Sequence, residues 1–366
     1  MKIECSKNRL REIVSKAEKI TGKNATLPVL SCVILEAKNS KLIIQATNLE
    51  LGIEIITPVK VFKEGIVAVP GSLLISYISS LSHDGPITLE TIDGTLLMTN
   101  QTNETKIKTL NPEDFPAIAH LSSEKKFKLS AKDLVVGLKS VWYAASVSSM
   151  KPELSSVYIY PEGNHIVFVA TDSFRLAEKK VRVEGGVEFE NILVPFKNVS
   201  ELIRVLEGAE THVEVTFDNN QVSFEFDGTY VLSRIVDGTF PDYKQIIPKS
   251  KNTDVVVLKQ DLLQALKVSN IFSDNFNKVT FMVKPSDGVF EIFSKNIDKG
   301  ENRNMVQGTL EGDDVTINFN QKYIVDCFNS LDSDSLALSF DGVSKPMVIR
   351  GVRDGSFMYL VMPMNK

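Results

Sequence analysis

Ala46-Thr47-Asn48-Leu49-Glu50-Leu51-Gly52-Ile53-Glu54 returns in altered form as Ala170-Thr171-Asp172-Ser173-Phe174-Arg175-Leu176-Ala177-Glu178, and more faintly as Phe293-Ser294-Lys295-Asn296-Ile297. Thr47, Thr171 and Ser294 fall 124 and 123 residues apart. Each follows an alternating apolar run (Leu42-Ile43-Ile44, His165-Ile166-Val167-Phe168-Val169 and Val289-Phe290-Glu291-Ile292) and so reads as the end of a β-strand. A solenoid repeats every ~20–50 residues. This period is far longer, and it is the size of a domain.

Other landmarks keep the interval. Leu10, Leu134 and Leu262 each open a helical pattern, with Ser6, Ser130 and Asp261 as capping candidates. Val69-Pro70, Val194-Pro195 and Phe319-Asn320 precede a second helix, 125 residues apart both times. Asp93, Asp218 and Asp341 fall in hairpin turns 125 and 123 apart, and Phe115-Pro116 and Phe240-Pro241 close repeats one and two, again 125 apart. First helices are predicted near 7–20, 130–145 and 259–272, second helices near 71–82, 196–207 and 320–331, with about eight short strands per repeat. Alternation such as Val213-Glu214-Val215-Thr216-Phe217 marks half-buried antiparallel strands. The expected class is therefore α+β, three similar domains with helices layered on antiparallel sheets. Their expected bounds are 1–120, 127–247 and 253–366, with polar linkers at 119–126 and 248–253.

Three such domains suit a chain of 366 residues, too long for one ordinary core. Met1-Lys2-Ile3-Glu4-Cys5 has neither the apolar core nor the cleavage site of a signal peptide. No apolar run approaches the ~18 residues of a membrane span, so no membrane partner and a cytoplasmic location are expected. Cys5, Cys32 and Cys327 are odd in number and far apart, which suits a reducing compartment. Net charge is −5, yet the six helical windows sum to +7 and everything else to −12, with +4 in residues 6–24 alone. If the helices share one face, that face is positive on an acidic protein, as sequence-independent phosphate contact requires. The candidate phosphate-facing residues are Lys7, Arg9, Arg11, Lys16, Lys23, Lys132, Lys139, Arg204 and Lys267. On charge alone, an ordinary solvated helix face is the alternative. The windows carry no aromatic interleaving for single strands and no helix-turn-helix or zinc motif for base readout.

No reaction chemistry is visible. His83, His120, His165 and His212 are scattered, with no i, i+4 pair and no neighbouring cysteine, so no metal or cofactor is expected. There is no Walker-type loop, no Gly-x-Gly-x-x-Gly after a strand and no nucleophile elbow. Asp172, Asp237 and Asp242 could pair as acid and base. Asp237-Gly238 reads as a turn, however, and Asp172 matches Asn48, which speaks for hydrogen bonding at a strand end. The expectation is a non-enzyme, with a repeat-built hydrolase and a structural scaffold as alternatives.

The chain resembles the bacterial DNA polymerase III beta subunit (sliding clamp) family from Met1-Lys2 through Leu27-Pro28-Val29-Leu30 to Val361-Met362-Pro363-Met364. Two internal motifs carry most of the resemblance, Ala170-Thr171-Asp172-Ser173-Phe174-Arg175-Leu176-Ala177 and Val236-Asp237-Gly238-Thr239-Phe240-Pro241-Asp242-Tyr243. The resemblance implies a processivity factor: a head-to-tail homodimer of three-domain subunits, closed as a ring around duplex DNA. It implies a partner-peptide pocket between domains two and three. Leu154, Thr171, Ser173, Phe174, Arg175, Leu176, Pro241, Ile246, Tyr323, Met362, Pro363 and Met364 would line it. The replicative polymerase, the clamp loader and repair polymerases would compete there. Met and Leu make an adaptable apolar groove, with Arg175 as a polar rim. The resemblance adds Lys151, in the 146–151 loop, to the DNA-facing set. It also places Ile107, on an edge strand of domain one, against Ile271 and Phe272 of the partner subunit. Two departures matter. Ser173-Phe174 stands where family members often have Gly-His, which makes the groove wall bulkier and more apolar. The arginine expected just before Leu27-Pro28 is missing, which leaves that contact to Lys23.

Overall fold

The computed structural model describes residues 1–82, 84–184 and 189–364, and His83 lies outside them. Among the described residues, twenty-six strands are punctuated by six α-helices: α1 (Lys7–Glu18), α2 (Gly71–Ser80), α3 (Ala131–Val141), α4 (Phe196–Leu206), α5 (Lys259–Ile271) and α6 (Gln321–Asp326). The α+β class and the six helix positions agree with the sequence reading. The chain divides into two compact units, one of residues 1–135 with 197–235 and one of residues 136–196 with 236–366. The division falls inside the second repeat, because that repeat gives strands to a sheet in each unit.

The first unit holds a five-stranded and an eight-stranded antiparallel sheet. In the larger one, Leu51–Pro58 pairs with Thr229–Arg234, joining strands of repeats one and two edge to edge, with Leu232 opposite Gly52. The sequence of α1 explains its place. Ser6 accepts the N–H of Arg9 at 3.4 Å as N-cap, and Leu10, Ile13, Val14 and Ala17 recur at helical spacing and are buried. In α3 the cap is reciprocal: Ser130 accepts the Asp133 N–H at 3.1 Å and donates to its carboxylate at 2.6 Å.

The second unit holds a nine-stranded and a four-stranded sheet. Arg175–Arg182 pairs here with Phe357–Val361, repeating the joint of the first unit with Leu176 opposite Leu360. Helix α3 approaches the strand His165–Thr171 so closely that a Cβ on Gly137 would lie 2.4 Å from the Phe168 ring. Two helix details differ from expectation. Asp261 sits in the first turn of α5 without capping it, since the N-cap is Leu258 and makes no side-chain bond. Helix α6 ends at Asp326 and tightens into a 3-10 turn, Cys327–Ser330, rather than running to 331.

The repeated motif proves to be one side-chain cap built three times, on the same backbone turn in the first two copies, where Leu49 and Ser173 both take a φ of 77°, and on a longer loop in the third, where Asn296 pairs with Gly300. Asn48 Oδ1 accepts the N–H groups of Glu50 and Leu51, Asp172 Oδ1 those of Phe174 and Arg175, and Asn296 Oδ1 those of Asp298 and Lys299. These three residues are 124 apart both times. Matching Ser294 to Thr171 is therefore one residue early, and Lys295 is the true counterpart. A slip of one residue turns a strand side chain to the other face. Accordingly Ser294 is buried with its hydroxyl on the Ser269 carbonyl of α5, whereas Thr47 and Thr171 bond back across their own turns.

Candidate partner-binding groove and DNA-facing helices

The groove lies within the second unit and is built on the second of these turns. The Thr171 hydroxyl donates to the Arg175 carbonyl at 2.6 Å and accepts the Ser173 N–H at 3.1 Å, which holds Ser173 at a φ of 77°. Phe174 stands out from the turn, 60% exposed. Its carbonyl accepts the Met362 N–H at 2.8 Å, and the Met364 N–H donates to Asn318 at 2.8 Å, so the half-buried Met362, Pro363 and Met364 run past it. Tyr323 of α6 supplies the next wall, its ring 6.4 Å from that of Phe174 with the planes 22° apart.

Arg175 is a largely covered staple, not the polar rim expected of it. Its side chain is 12% exposed, and Nε meets Asp172 at 3.0 Å. Nη1 meets Asp326, Nη2 donates to the Tyr143 carbonyl at 2.7 Å, and the guanidinium lies over the Tyr323 ring at 4.7 Å. Burial works against its charge, but Tyr359, Asp172 and Asp326 outweigh burial and raise its pKa. Asp326 and Tyr143 carry no sequence signal for this role.

The remaining pocket candidates separate by burial. Leu154, Thr171 and Leu176 are buried, and Leu176 belongs to a core cluster with Phe240, Tyr243 and Leu360. Pro241 and Ile246 are exposed on the segment that Phe240 and Tyr243 anchor. The Tyr243 hydroxyl donates to Glu178, while Lys180 and Lys244 both meet Glu162 and pin the segment to the sheet.

The basic residues sort in the same way. Lys7 does not face solvent: it is 5% exposed, with Nζ donating to the Leu81 carbonyl at 2.5 Å and meeting Asp84 at 3.1 Å. In the first unit, Arg9 and Lys16 both pair with Glu12, Arg204 pairs with Glu201, and Arg11, Lys23 and Lys132 are exposed. Exposed ion pairs are worth only ~0–1 kcal/mol, so those pairs can yield to phosphate. In the second unit Lys139, Lys151 and Lys267 are exposed. Ile107 is on an edge strand as expected, but it is 2% exposed and points into its own core, so its side chain is not offered to a partner. Ile271 is 61% exposed at the end of α5, followed by a half-buried Phe272.

The carboxylates raised as an acid–base pair are otherwise engaged or solvated. Asp172 caps the turn and pairs with Arg175, while Asp237 and Asp242 are exposed. Among the described residues no group of three or more His, Cys, Asp or Glu could hold a metal ion, and no helix is long and apolar enough to cross a membrane. Burial pushes the Cys5 thiol up to about 12, far from a reactive thiolate.

A crystal structure of the DNA polymerase III beta subunit from Thermotoga maritima superposes with a TM-score of 0.94 at 26% identity, covering 100% of this chain and 99% of that one. The Bacillus subtilis DNA polymerase sliding clamp gives 0.94 at 23%, with the same coverage. The fold is thus the DNA-clamp fold. Residues 1–119, 128–242 and 244–365 match the N-terminal, central and C-terminal domains of the DNA polymerase III beta subunit. The beta sliding clamp of Staphylococcus aureus is 25% identical over 356 residues, 95% of this chain and 94% of that one. The chain belongs to the DNA polymerase III beta subunit family. The hydrolase and scaffold alternatives have no support among these relatives.

Proposed function

We propose that this chain is a non-catalytic processivity clamp. Two copies close head to tail around duplex DNA and tether the replicative polymerase, the clamp loader and repair polymerases through the groove at Phe174 and the 362–364 tail. Its working parts are three domains, 1–120, 127–247 and 253–366. Exposed cations on the helices meet phosphates without reading bases, so the ring holds by topology and slides.

The observation that carries this reading is a pair of open sheet edges. Each internal joint pairs a hairpin strand of one repeat with the last strand of the next. Glu104–Lys108 and Gly300–Met305 are the corresponding strands still at an edge. Registers can be carried over through the paired strands. Thr105 pairs with Met98 as Val231 pairs with Phe224, and Glu301 pairs with Lys295 as Gly52 pairs with Thr47. The rule that sets Leu232 against Gly52 and Tyr230 against Glu54 then sets Lys106 against Glu301 of the partner subunit, and Glu104 against Arg303 of the partner subunit. All four are exposed in one copy, and both pairs join opposite charges. Edge-to-edge pairing also removes two strand edges that would otherwise invite aggregation.

The test is a mass measurement in dilute solution. A particle of twice 40.6 kDa is expected. A monomer at micromolar concentration would refute ring closure by two copies.

A further inference from the structure

The joint inside the first unit repeats the backbone frame of the groove with different side chains. Leu49 stands where Ser173 stands, at the same φ of 77°. The Arg234 N–H donates to the Glu50 carbonyl at 2.9 Å, as the Met362 N–H donates to that of Phe174 at 2.8 Å. Phe115-Pro116 takes the place of Phe240-Pro241, so residues 116–119 form a wall of this joint.

Three exchanges turn that frame into a different site. Gly52 faces Leu232 where Leu176 faces Leu360, which removes one side chain from the floor. The half-buried Ile118 leans over the gap, its carbons 3.4–3.5 Å from where a Gly52 Cβ would stand. Leu49, 44% exposed, extends the apolar wall that Ser173 does not supply in the second joint. A recess of about 190 Å³ remains among Leu49, Pro116, Ile118 and Leu232. Small-molecule sites typically enclose ~300–1,000 Å³, so this one suits a single side chain of a larger partner.

The third exchange sets the charge. Arg234 occupies the place of Met362; it is exposed, and its guanidinium makes no ion pair or hydrogen bond among the described residues. Gln221, opposite it across the strands, shares the rim. Arg175 in the second joint is spent on Asp172 and Asp326, whereas Arg234 is free to meet a carboxylate. Glu50, exposed on the same rim, disfavours a second acid.

We infer that this recess is a further peptide-binding site, which takes an aliphatic side chain of a partner protein flanked by one acidic residue. The aliphatic group fills the space beside Gly52, and the carboxylate pairs with Arg234. The site depends neither on the groove at Phe174 nor on ring closure, and each can fail without the other.

The test is a titration of the full chain, labelled at its Ile, Leu and Val methyl groups, followed by NMR. The probe is the tetrapeptide Gly-Asp-Leu-Gly at millimolar concentration, acetylated and amidated so that only the aspartate is charged. Methyl signals of Leu49, Ile118 and Leu232 should shift. Replacing the peptide's aspartate by asparagine, or Arg234→Gln in the protein, should each weaken binding about tenfold. Leu49→Ser, which borrows the second turn's residue at the same φ, should weaken it as well. Both altered residues are exposed, and an unchanged melting temperature verifies the fold. Arg234→Glu should prefer the Gly-Lys-Leu-Gly peptide. No shift at these three residues, or shifts confined to Leu176 and Leu360 of the second joint, overturns the inference. So does an aspartate peptide that binds no better than its asparagine twin, or equally well to Arg234→Gln.

Discussion

Replacing Lys106 with Glu probes the proposed seam at one atom pair. In the register carried over from the internal joints, Lys106 faces Glu301 of the partner subunit across antiparallel strands. An opposite-charge pair directly across a sheet contributes ~0.2–1 kcal/mol, and like charges in that place destabilise by a similar amount. Reversal therefore costs ~1.5 kcal/mol at each seam. A head-to-tail dimer has two seams, so the total is ~3 kcal/mol, roughly a hundredfold in the dissociation constant. Sedimentation velocity or mass photometry over a nanomolar to micromolar series would read it. The loss should shrink in ~1 M salt, where the screening length falls to ~3 Å. Glu301→Lys alone should weaken the dimer similarly, and the K106E/E301K chain should recover most of the affinity. An unchanged K106E dimer, or a charge swap that recovers nothing, would show that these two strands do not meet in this register.

Three further outcomes follow from the second unit. Gly137→Ala should lower stability by up to ~2 kcal/mol, because an overpacking cost of ~1–3 kcal/mol against Phe168 outweighs the ~1 kcal/mol alanine gains in a helix; a stabilised variant in thermal melts would contradict the packing. Hydrogen bonds from Lys180 and Lys244 hold the Glu162 carboxyl down at about 2. That stability is complete above the unfolded carboxyl value near pH ~4.3 and fades as pH falls toward 2, so Glu162→Gln should flatten this part of the melting-temperature profile, and parallel profiles would contradict it. Arg175→Met strands the carboxylates of Asp172 and Asp326 and should cost ~3–5 kcal/mol, partly recovered by adding Asp326→Asn; an unchanged melting temperature would mean that the staple holds nothing.

Sequence reading succeeds here where structure is periodic and fails where it depends on long-range geometry. Helix α1 is legible because Leu10, Ile13, Val14 and Ala17 keep helical spacing behind a serine cap. The thrice-repeated cap is legible because an Asn or Asp must supply its side-chain oxygen each time, although the longer loop of the third copy misled the alignment by one residue. The staple is not legible, since Asp326 lies 151 residues and Tyr143 32 residues from Arg175. Lys7 has the pattern of a surface lysine in a first helical turn, and the Leu81 carbonyl, 74 residues away, and Asp84 draw it inside. The seam shows a neglected signal. Alternation through Glu104-Thr105-Lys106-Ile107-Lys108 already turns Ile107 inward and the charges outward, so the charges, not the isoleucine, mark the edge a partner would meet.

The central claim is topological, and the most direct measurement is retention on DNA of two shapes. The protein is loaded by a clamp loader onto nicked circular DNA, the complex is separated by gel filtration, and half the circles are then cut once. A closed ring predicts that the protein stays with the intact circles and slides off the linear molecules. Equal retention on both forms, or equal loss from both, would contradict encirclement.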